Sequence, residues 1–317
     1  MYKKVIEFRP SISSENVGDH IIQHYITEIM NEIFDNHLTV TMPTRSKLTK
    51  ANYNHLNSAD YKFVCGTNLL ASNMRTRKQW NLSIEDAFKL QDVILFGVGW
   101  WQYQKEPDTY TKWLLKSILS PKILHSVRDS YTEQQLKAIG INNVINTACP
   151  TMWGLTEEKC KRIPRHKADS VVTTLTNYMN NDELDSWLLE VLLNNYKKVY
   201  VWLQAIEDYE QLKRLGFDKK VEIVAPTMSA YDEILEGEVD YIGTRLHGGI
   251  HALNKERRCL IIAVDNRAIE ISKDTNLPVI PREEIVEKLE RKINESSEIK
   301  ISLPQNNINL WKSQFIK

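Results

Sequence analysis

The most constraining feature of this chain is an alternation of short apolar runs with amphipathic segments over most of its length. Runs such as CLIIAV lack the polar alternation of half-exposed strands, which is typical of parallel sheets covered on both faces. In the first half the strand-like runs are KVIEF (4–8), LTVTM (38–42), YKFVC (61–65), DVILF (92–96), KILHSV (122–127) and NVIN (143–146). In the second half they are SVVTTL (170–175), KVYVWL (198–203), VEIVA (221–225), VDYI (239–242) and CLIIAV (259–264).

Amphipathic helical patterns separate these runs. Residues 20–34 form one apolar stripe, and residues 186–196, 229–237 and 283–293 are similar. Strands that alternate with helices predict right-handed βαβ units and doubly wound sheets. A chain of 317 residues is long enough for two such domains.

The sequence therefore predicts an α/β fold of two Rossmann-like domains that face a cleft. A charged stretch with one proline, KRIPRHKAD (161–169), separates the halves, so the predicted domains are residues 1–160 and 161–317. The C-terminal tail, INLWKSQFIK (308–317), combines Trp311, Phe315 and Ile316 with two lysines, Lys312 and Lys317. We expect this tail to pack back on the first domain, and a peripheral contact with a membrane is the alternative.

Charge and cysteine content exclude several classes of protein. Lys+Arg and Asp+Glu both number 41, and the net charge of zero argues against a general nucleic-acid binder. No apolar run approaches the roughly 20 residues that span a bilayer, and the N-terminal stretch does not have the pattern of a signal peptide. We expect a cytoplasmic protein that uses no metal or other cofactor. The widely spaced cysteines, interpreted as reduced and packed, are Cys65, Cys149, Cys160 and Cys259.

The sharpest local signal is GTRLHGGIHAL (243–253), which follows the strand-like run VDYI. Ligands of doubly wound sheets bind beyond the carboxyl ends of the strands. Arg245 has the planar fork that suits a carboxylate or phosphate, and His247 can move a proton near neutral pH. Gly248 and Gly249 are expected to leave the first amides of a helix uncovered for an anion. The alternative for His247 is a buried, hydrogen-bonded residue.

Other strand ends carry weaker signals. Asn16 and Asp19 flank a glycine before the first helix, where a simple helix cap is the alternative. Arg128 follows the run KILHSV, where a surface ion pair with Asp129 is the alternative. Glycine turns at GTN (66–68) and GVGWW (97–101) could approach a phosphate or sugar. Their tryptophans could stack on a sugar ring, with core packing as the alternative for one of them.

These elements together resemble the polysaccharide pyruvyl transferase family. The resemblance covers residues 4–275, and the RLH-x-x-I-x-A element is its most specific part. Where the family often has a glycine triplet, this chain has Cys65-Gly66-Thr67, and where it often has a lysine after the last strand, this chain has Arg267. The matching pieces are NVGD (16–19), GTNLLAS (66–72), GVGW (97–100), SVRDSYTEQQLKAIGI (126–141), ACPTMW (148–153), RLHGGIHAL (245–253) and AVDNRAIEIS (263–272).

The resemblance implies a fold similar to the GT-B glycosyltransferases and a pyruvyl transfer from phosphoenolpyruvate to a sugar diol. The product would be a pyruvate ketal on a cell-surface polysaccharide or its precursor. His247 is expected to act as general acid and base, with Asp19 as a second catalytic residue on the acceptor side. The residues expected to bind phosphoenolpyruvate are Arg128, Arg245, Leu246, His247, Gly248 and Arg267. Those expected to bind the acceptor, in the first domain, are Asn16, Gly66, Asn68, Gly97, Trp100 and Trp101.

Two other classes stay open at this point. A nucleotide-sugar glycosyltransferase of GT-B type would share the expected fold, and a non-catalytic sugar-binding protein would need only the acceptor residues. Whether the acceptor is free, nucleotide-linked or lipid-linked is also open, as is the oligomeric state. A lipid-linked acceptor would place the protein at the inner face of a membrane.

Overall fold

A computed structural model describes residues 2–316, which form two compact units. The first unit comprises the residues up to Ser14, Ile22–Pro150 and the residues from Leu303 onward. The second comprises Glu15–Ile21 and Thr151–Ser302. Each unit therefore contains segments from distant parts of the chain.

These boundaries differ from the expected domains in two places. The second unit begins at Thr151 rather than at residue 161, because Arg162 forms an ion pair with Glu256 of the same unit at 2.6 Å. The NVGD turn, expected in the first domain, belongs to the second unit. The backbone amide of Val17 donates a 2.9 Å hydrogen bond to the carbonyl of Gln204 there.

The first unit is built on a parallel sheet with strand order β2-β1-β3-β4. A separate parallel pair, β5-β6, continues from it, because Val98 beyond β4 bridges to Val127 of β5. The strands are β1 (Lys3–Arg9), β2 (His37–Pro43), β3 (Tyr61–Cys65), β4 (Val93–Phe96), β5 (His125–Val127) and β6 (Val144–Asn146). The helices are α1 (Val17–Ile33), whose first turn lies in the second unit, α2 (Lys50–Leu56), α3 (Ile84–Lys89), α4 (Thr109–Ile118) and α5 (Ser130–Ala138).

The second unit has one sheet of six parallel strands. Its strands are β7 (Ser170–Thr173), β8 (Lys198–Trp202), β9 (Glu222–Val224), β10 (Val239–Gly243), β11 (Cys259–Ala263) and β12 (Val279–Pro281). Its helices are α6 (Glu157–Arg162), α7 (Asp182–Asn195), α8 (Glu207–Arg214), α9 (Met228–Glu236), α10 (Leu246–Asn254), α11 (Asn266–Thr275) and α12 (Ile285–Asn294). The order β12-β11-β10-β7-β8-β9 is that of a Rossmann sheet, whose ligand crevice lies where the order reverses, between β7 and β10.

The predicted α/β fold with parallel sheets is confirmed, and every predicted strand-like run overlaps an observed strand. The short edge strand β12 was not predicted, because its three residues, VIP, include a proline and form no recognisable apolar run. Helix α1 begins at Val17 rather than at residue 20, and α7 begins at Asp182 rather than at residue 186. Among the described residues, no helix is both long enough and apolar enough to cross a bilayer.

The last helix, α13 (Gln305–Ser313), is part of the core of the first unit. The ring of Trp311 stacks on Phe96 with centroids 4.5 Å apart, and Phe315 contacts Phe63 at 5.3 Å. Trp311 is fully buried and Phe315 nearly so. These two aromatic side chains are therefore not available to a membrane, whereas Lys317 lies outside the described residues.

Candidate functional site

In the second unit, hydroxyl groups join the two loops that flank the crevice between β7 and β10. The hydroxyls of Thr174 and Tyr241 are 2.7 Å apart, and those of Thr176 and Thr244 are 2.8 Å apart. Arg245, the N-cap of α10, donates through Nε to the carbonyl of Leu175 at 2.8 Å. These contacts fix Arg245 at the reversal point of the strand order.

Arg245 is held by a buried carboxylate. Its Nη2 donates to both oxygens of Asp208, at 2.7 Å for Oδ2. The same carboxylate accepts from the backbone amides of Gln204 and Ala205 at 3.1 and 3.2 Å, and both charged side chains are buried. Arg245 is therefore a buried arginine, 4% exposed. Because Asp208 and Leu175 occupy Nε and Nη2, Nη1 is the nitrogen that these contacts leave for an incoming anion.

Tyr178 joins two arginines that are far apart in the sequence. The guanidinium carbon of Arg245 lies 5.1 Å from the centre of the Tyr178 ring, and Arg267 donates to its hydroxyl at 3.0 Å. Arg267 also donates through Nε to Asp265 at 2.8 Å. Burial lowers the pKa of Arg267, but the charge of Asp265 and the hydrogen bonds outweigh it and raise that pKa. Sequence reasoning missed Tyr178, which is a 57% exposed residue without a recognisable motif.

Helix α10 begins with the predicted residues Leu246, His247 and Gly248, and all three are buried. His247 is 6% exposed and is the second residue of the helix, so it lies beside the first free amides. One turn later, Nε2 of His251 is 2.9 Å from Asp232. This contact fixes His251 on the helix body, away from the helix N-terminus.

The two glycines of α10 serve close packing. A Cβ on Gly248 would be 2.9 Å from Nε2 of Gln204, and one on Gly249 would be 2.4 Å from Cγ1 of Ile261. Side chains of neighbouring elements therefore fill the space into which a Cβ would point at both positions.

Gln204 brings the first and the sixth of the family-like elements together. A Cβ on Gly18 would be 3.1 Å from Oε1 of Gln204, and Gly248 faces its Nε2. The side chain is 2% exposed, and its Nε2 has no hydrogen-bond partner among the described residues. Asn16 closes the NVGD turn by accepting from the Gly18 amide at 3.0 Å, and Asp19 is buried at 2% exposure. Both residues predicted to be catalytic, Asp19 and His247, are thus sequence neighbours of glycines that contact Gln204. This glutamine was not predicted.

In the first unit, Arg128 is a fully buried arginine at the end of β5. Its Nη2 donates to Oδ1 of Asn68, and its Nε is 3.3 Å from Oδ2 of Asp129. Within the described part of the chain, Nη1 has no hydrogen-bond partner. The alternative of a surface ion pair is excluded by this burial. The structure thus joins Asn68, expected to bind the acceptor, to Arg128, expected to bind phosphoenolpyruvate.

The glycines after β3 and β4 are needed by the backbone. Gly66 and Gly97 have positive φ angles of 53° and 63°. A Cβ on Gly66 would be 2.4 Å from Ile22, and one on Gly97 would be 2.2 Å from Pro150. Their observed contacts are therefore with packed side chains.

The paired tryptophans have different surroundings. Trp100 is 1% exposed in the apolar core, and its Nε1 donates to Gln104 at 3.1 Å. It therefore cannot stack on a sugar, which corrects one of the two expectations. Trp101 is partly buried, and the guanidinium of Arg77 lies 3.4 Å from the centre of its ring. One face of Trp101 is thus occupied by a cation.

Several solved structures are similar to this chain over nearly its whole length. UDP-GlcNAc 2-epimerase of Methanocaldococcus jannaschii, in complex with UDP-GlcNAc and UDP, has a TM-score of 0.52 and 11% identity, covering 98% of this chain and 99% of that one. S. aureus MnaA with UDP has a TM-score of 0.49 at 11% identity, covering 94% and 91%. The apo form of the lipopolysaccharide outer core galactosyltransferase WaaB has a TM-score of 0.47 and 10% identity. The match covers 92% of this chain and 90% of that one.

At such low identity, the match to the epimerase shows the fold alone, and it supports the predicted two-domain, GT-B-like architecture. No curated protein sequence matches this chain. The sequence profile described as polysaccharide pyruvyl transferase matches residues 16–266. That range runs from the NVGD turn through β11 and ends one residue before Arg267. The chain belongs to the polysaccharide pyruvyl transferase family.

Proposed function

We propose that this protein transfers the pyruvyl group of phosphoenolpyruvate to two hydroxyls of a sugar. The product is a pyruvate ketal on a cell-surface polysaccharide or its precursor. Family membership supports this reaction, and the structural observation that carries it is the buried, incompletely bonded guanidinium of Arg128.

Arg128 suits one anionic group of phosphoenolpyruvate. A buried cation is stable only when its hydrogen-bonding groups are used, yet Nη1 of Arg128 has no partner among residues 2–316. Asn68 is a neutral partner that orients the guanidinium, and the Asp129 carboxylate, 3.3 Å from Nε, balances part of its charge. A carboxylate or phosphate oxygen would supply the acceptor that Nη1 lacks.

In the second unit, the proposed donor-binding residues are Arg245, Leu246, His247, Gly248 and Arg267. The N-terminus of α10 offers backbone amides and a favourable dipole for an anion. Asp208 and Asp265 already balance part of the charge of Arg245 and Arg267. These two arginines therefore position a ligand more than they attract it from solution, and Tyr178 holds both guanidinium groups in place.

The proposed chemistry assigns His247 the proton transfers. His247 protonates C3 of the enol, and positive charge develops at C2. One sugar hydroxyl adds to C2 and loses its proton to the neutral histidine. Inorganic phosphate then leaves from C2. The second sugar hydroxyl attacks C2 and closes the ring, and the departing phosphate takes the proton of that hydroxyl. Asp19 is proposed to orient or deprotonate a hydroxyl. Of the two tryptophans, only Trp101 remains a proposed acceptor-binding residue, since Trp100 is in the core.

The test is to incubate the protein with phosphoenolpyruvate and a panel of glycosides that carry free diols. Release of inorganic phosphate and the NMR signals of a ketal methyl group are the expected results. Thermal stabilisation by phosphoenolpyruvate, compared with nucleotide sugars and with glycosides alone, separates the three candidate classes. Stabilisation by nucleotide sugars alone would favour a glycosyltransferase, and stabilisation by glycosides alone a sugar-binding protein.

A further inference from the structure

Helices α3 and α4 of the first unit expose a contiguous group of large apolar side chains. Phe88 is 71% exposed, Ile84 one turn earlier is 55% exposed, and Trp113 of α4 is 38% exposed. The rings of Phe88 and Trp113 are 6.1 Å apart in an edge-on arrangement. Together these three side chains form what we call the α3–α4 patch.

The patch is not the core-facing side of either helix. On α4 the buried residues are Thr111, Leu114, Leu115 and Ile118, whereas Trp113 points away from that face. Single exposed apolar residues are common, but a contiguous exposed group with a phenylalanine at its centre marks an interaction surface. The aromatic surface continues to Tyr110, whose ring lies 5.8 Å from that of Trp113.

Cationic side chains border this surface. The guanidinium of Arg75 lies 5.8 Å from the centre of the Tyr110 ring, and Lys116 follows Trp113 by three residues on α4. Neither cation forms an ion pair with a described acidic side chain. Lys89 and Lys112, next to Phe88 and Trp113, are also exposed or partly exposed.

The acidic side chains of the same region are used locally. Glu85 pairs with Lys89, and Glu106 pairs with Lys112. Asp86 accepts from the Ser83 amide within the cap of α3, and Asp108 accepts from the Thr111 amide at 2.7 Å as the N-cap of α4. The unpaired exposed charges at the border are therefore positive, although the chain as a whole has zero net charge.

We propose that the α3–α4 patch docks the first unit on the surface of an anionic lipid bilayer. Phe, Trp and Ile enter the interface between headgroups and acyl chains, while Arg75 and Lys116 meet lipid phosphates. A second copy of the chain fits less well. Three side chains are too few for a stable dimer interface, and a two-fold contact would bring the unpaired cations of both copies together.

The test uses the full-length protein and sedimentation with two kinds of vesicle, phosphatidylcholine alone and phosphatidylcholine with one third phosphatidylglycerol. Wild type is expected to bind the anionic vesicles, and Phe88→Ser with Trp113→Ser is expected to lower the partition coefficient by about tenfold or more. Arg75→Gln with Lys116→Gln is expected to remove the preference for anionic over neutral vesicles. The matched control is Leu310→Ser with Ile316→Ser, because both residues are 54% exposed apolar residues outside the patch.

The proposal is supported if the Leu310→Ser, Ile316→Ser variant still binds anionic vesicles and the Phe88→Ser, Trp113→Ser variant does not. Failure of wild type to bind anionic vesicles would overturn it, as would equal binding by the Phe88 and Trp113 variant. Light scattering after size-exclusion chromatography measures the oligomeric state of wild type and of the Phe88 and Trp113 variant. A dimer that depends on Phe88 and Trp113, without vesicle binding, would assign the patch to a second copy instead.

Discussion

The α-carbon of Gly99 lies directly against the guanidinium of Arg128. A Cβ at residue 99 would be 2.2 Å from Nε and 2.3 Å from Cζ, far inside van der Waals contact. Residue 99 must therefore be glycine for as long as Arg128 keeps its place between the loop after β4 and Asn68. This close approach explains the second glycine of the GVGW element without any ligand contact of its own.

Gly99→Ala is therefore expected to displace Arg128. We expect phosphoenolpyruvate affinity to fall about tenfold or more and the free energy of unfolding to fall by about 1–3 kcal/mol from overpacking. Calorimetric titration and urea unfolding measure the two effects. Gly237→Ala is the control, because the nearest atom to a Cβ there is 3.5 Å away and its change in stability should stay within about 0.5 kcal/mol. Unchanged affinity in Gly99→Ala would remove Arg128 from the donor site.

Arg245→Ala is expected to destabilise the fold as well as weaken donor binding. Its removal leaves the Asp208 carboxylate buried without a cation, at a cost of about 3–5 kcal/mol. Arg245→Ala combined with Asp208→Asn should recover part of this stability but not the affinity for phosphoenolpyruvate. Urea unfolding of the two single variants and the double variant completes the cycle. An unfolding free energy of Arg245→Ala equal to that of wild type would contradict the buried pair.

Gln204→Glu tests the unpartnered amide between Gly18 and Gly248. The substitution keeps the shape of the side chain but replaces the Nε2 donor with an oxygen that repels an anion. We expect the affinity for phosphoenolpyruvate to fall by roughly 10- to 100-fold, a typical range for one charge-assisted hydrogen bond. Gln204→Met lacks both the donor and the charge, so its affinity for phosphoenolpyruvate should lie between that of Gln204→Glu and that of wild type. Equal titration curves for all three proteins would make Gln204 a packing residue only.

His247→Gln and His251→Gln form a matched pair on one helix. Loss of a general acid and base at residue 247 should lower kcat by about 10²–10⁴-fold while phosphoenolpyruvate affinity changes less. His251 is held by Asp232 on the helix body, so its substitution should affect mainly stability. Steady-state kinetics and titration of both variants decide between them. A larger loss of kcat at residue 251 would reverse the assignment.

Buried His125 makes the fold sensitive to acid. Its Nε2 donates to the Ser120 carbonyl at 3.0 Å, and its Nδ1 accepts from the Leu95 amide at 3.2 Å. Burial lowers the pKa of His125 to about 4, against a small opposing effect of the Ser120 hydrogen bond. Because protonation would set an N–H of the ring against the Leu95 N–H, the native state resists taking up this proton.

The folded-state pKa of His125 lies below its unfolded value of 6.5, so the unfolded state binds the proton first as the pH falls. The stabilisation by neutral His125 is therefore complete above pH 6.5 and is lost between about 6.5 and 4, by roughly 3 kcal/mol in total. Urea unfolding at a series of pH values should show this loss in wild type. In His125→Gln the free energy of unfolding should fall less steeply with decreasing pH over the same range. An identical dependence on pH would assign the acid sensitivity to other groups.

The strands and their functional ends could be predicted because each strand is a continuous apolar run with a distinctive turn after it. Asp208, the partner of Arg245, could not be predicted from the sequence. It begins the stretch DYEQLKR, which has the pattern of a surface helix. Asp208 is buried because the first turn of α8 meets the loops after β7 and β10, a tertiary relationship without a local signal.

The two tryptophans show the same limit. In GVGWW the sequence places both rings at a strand end but does not say which one enters the core. The choice depends on Thr132, whose hydroxyl accepts from the Trp100 amide at 2.9 Å and turns that residue inward. Gln204 lies in VWLQAIED, where no spacing or residue type marks it as part of a site.

The position of α13 in the first unit has a consequence for synthesis on the ribosome. Every segment of the second unit precedes Leu303 in the chain, so that unit can finish folding before α13 has emerged. Until then the rings of Phe63 and Phe96 lack the indole of Trp311 that covers them. The unit that begins first along the chain is therefore completed last, and its nascent form exposes an aromatic surface of the kind that chaperones shield.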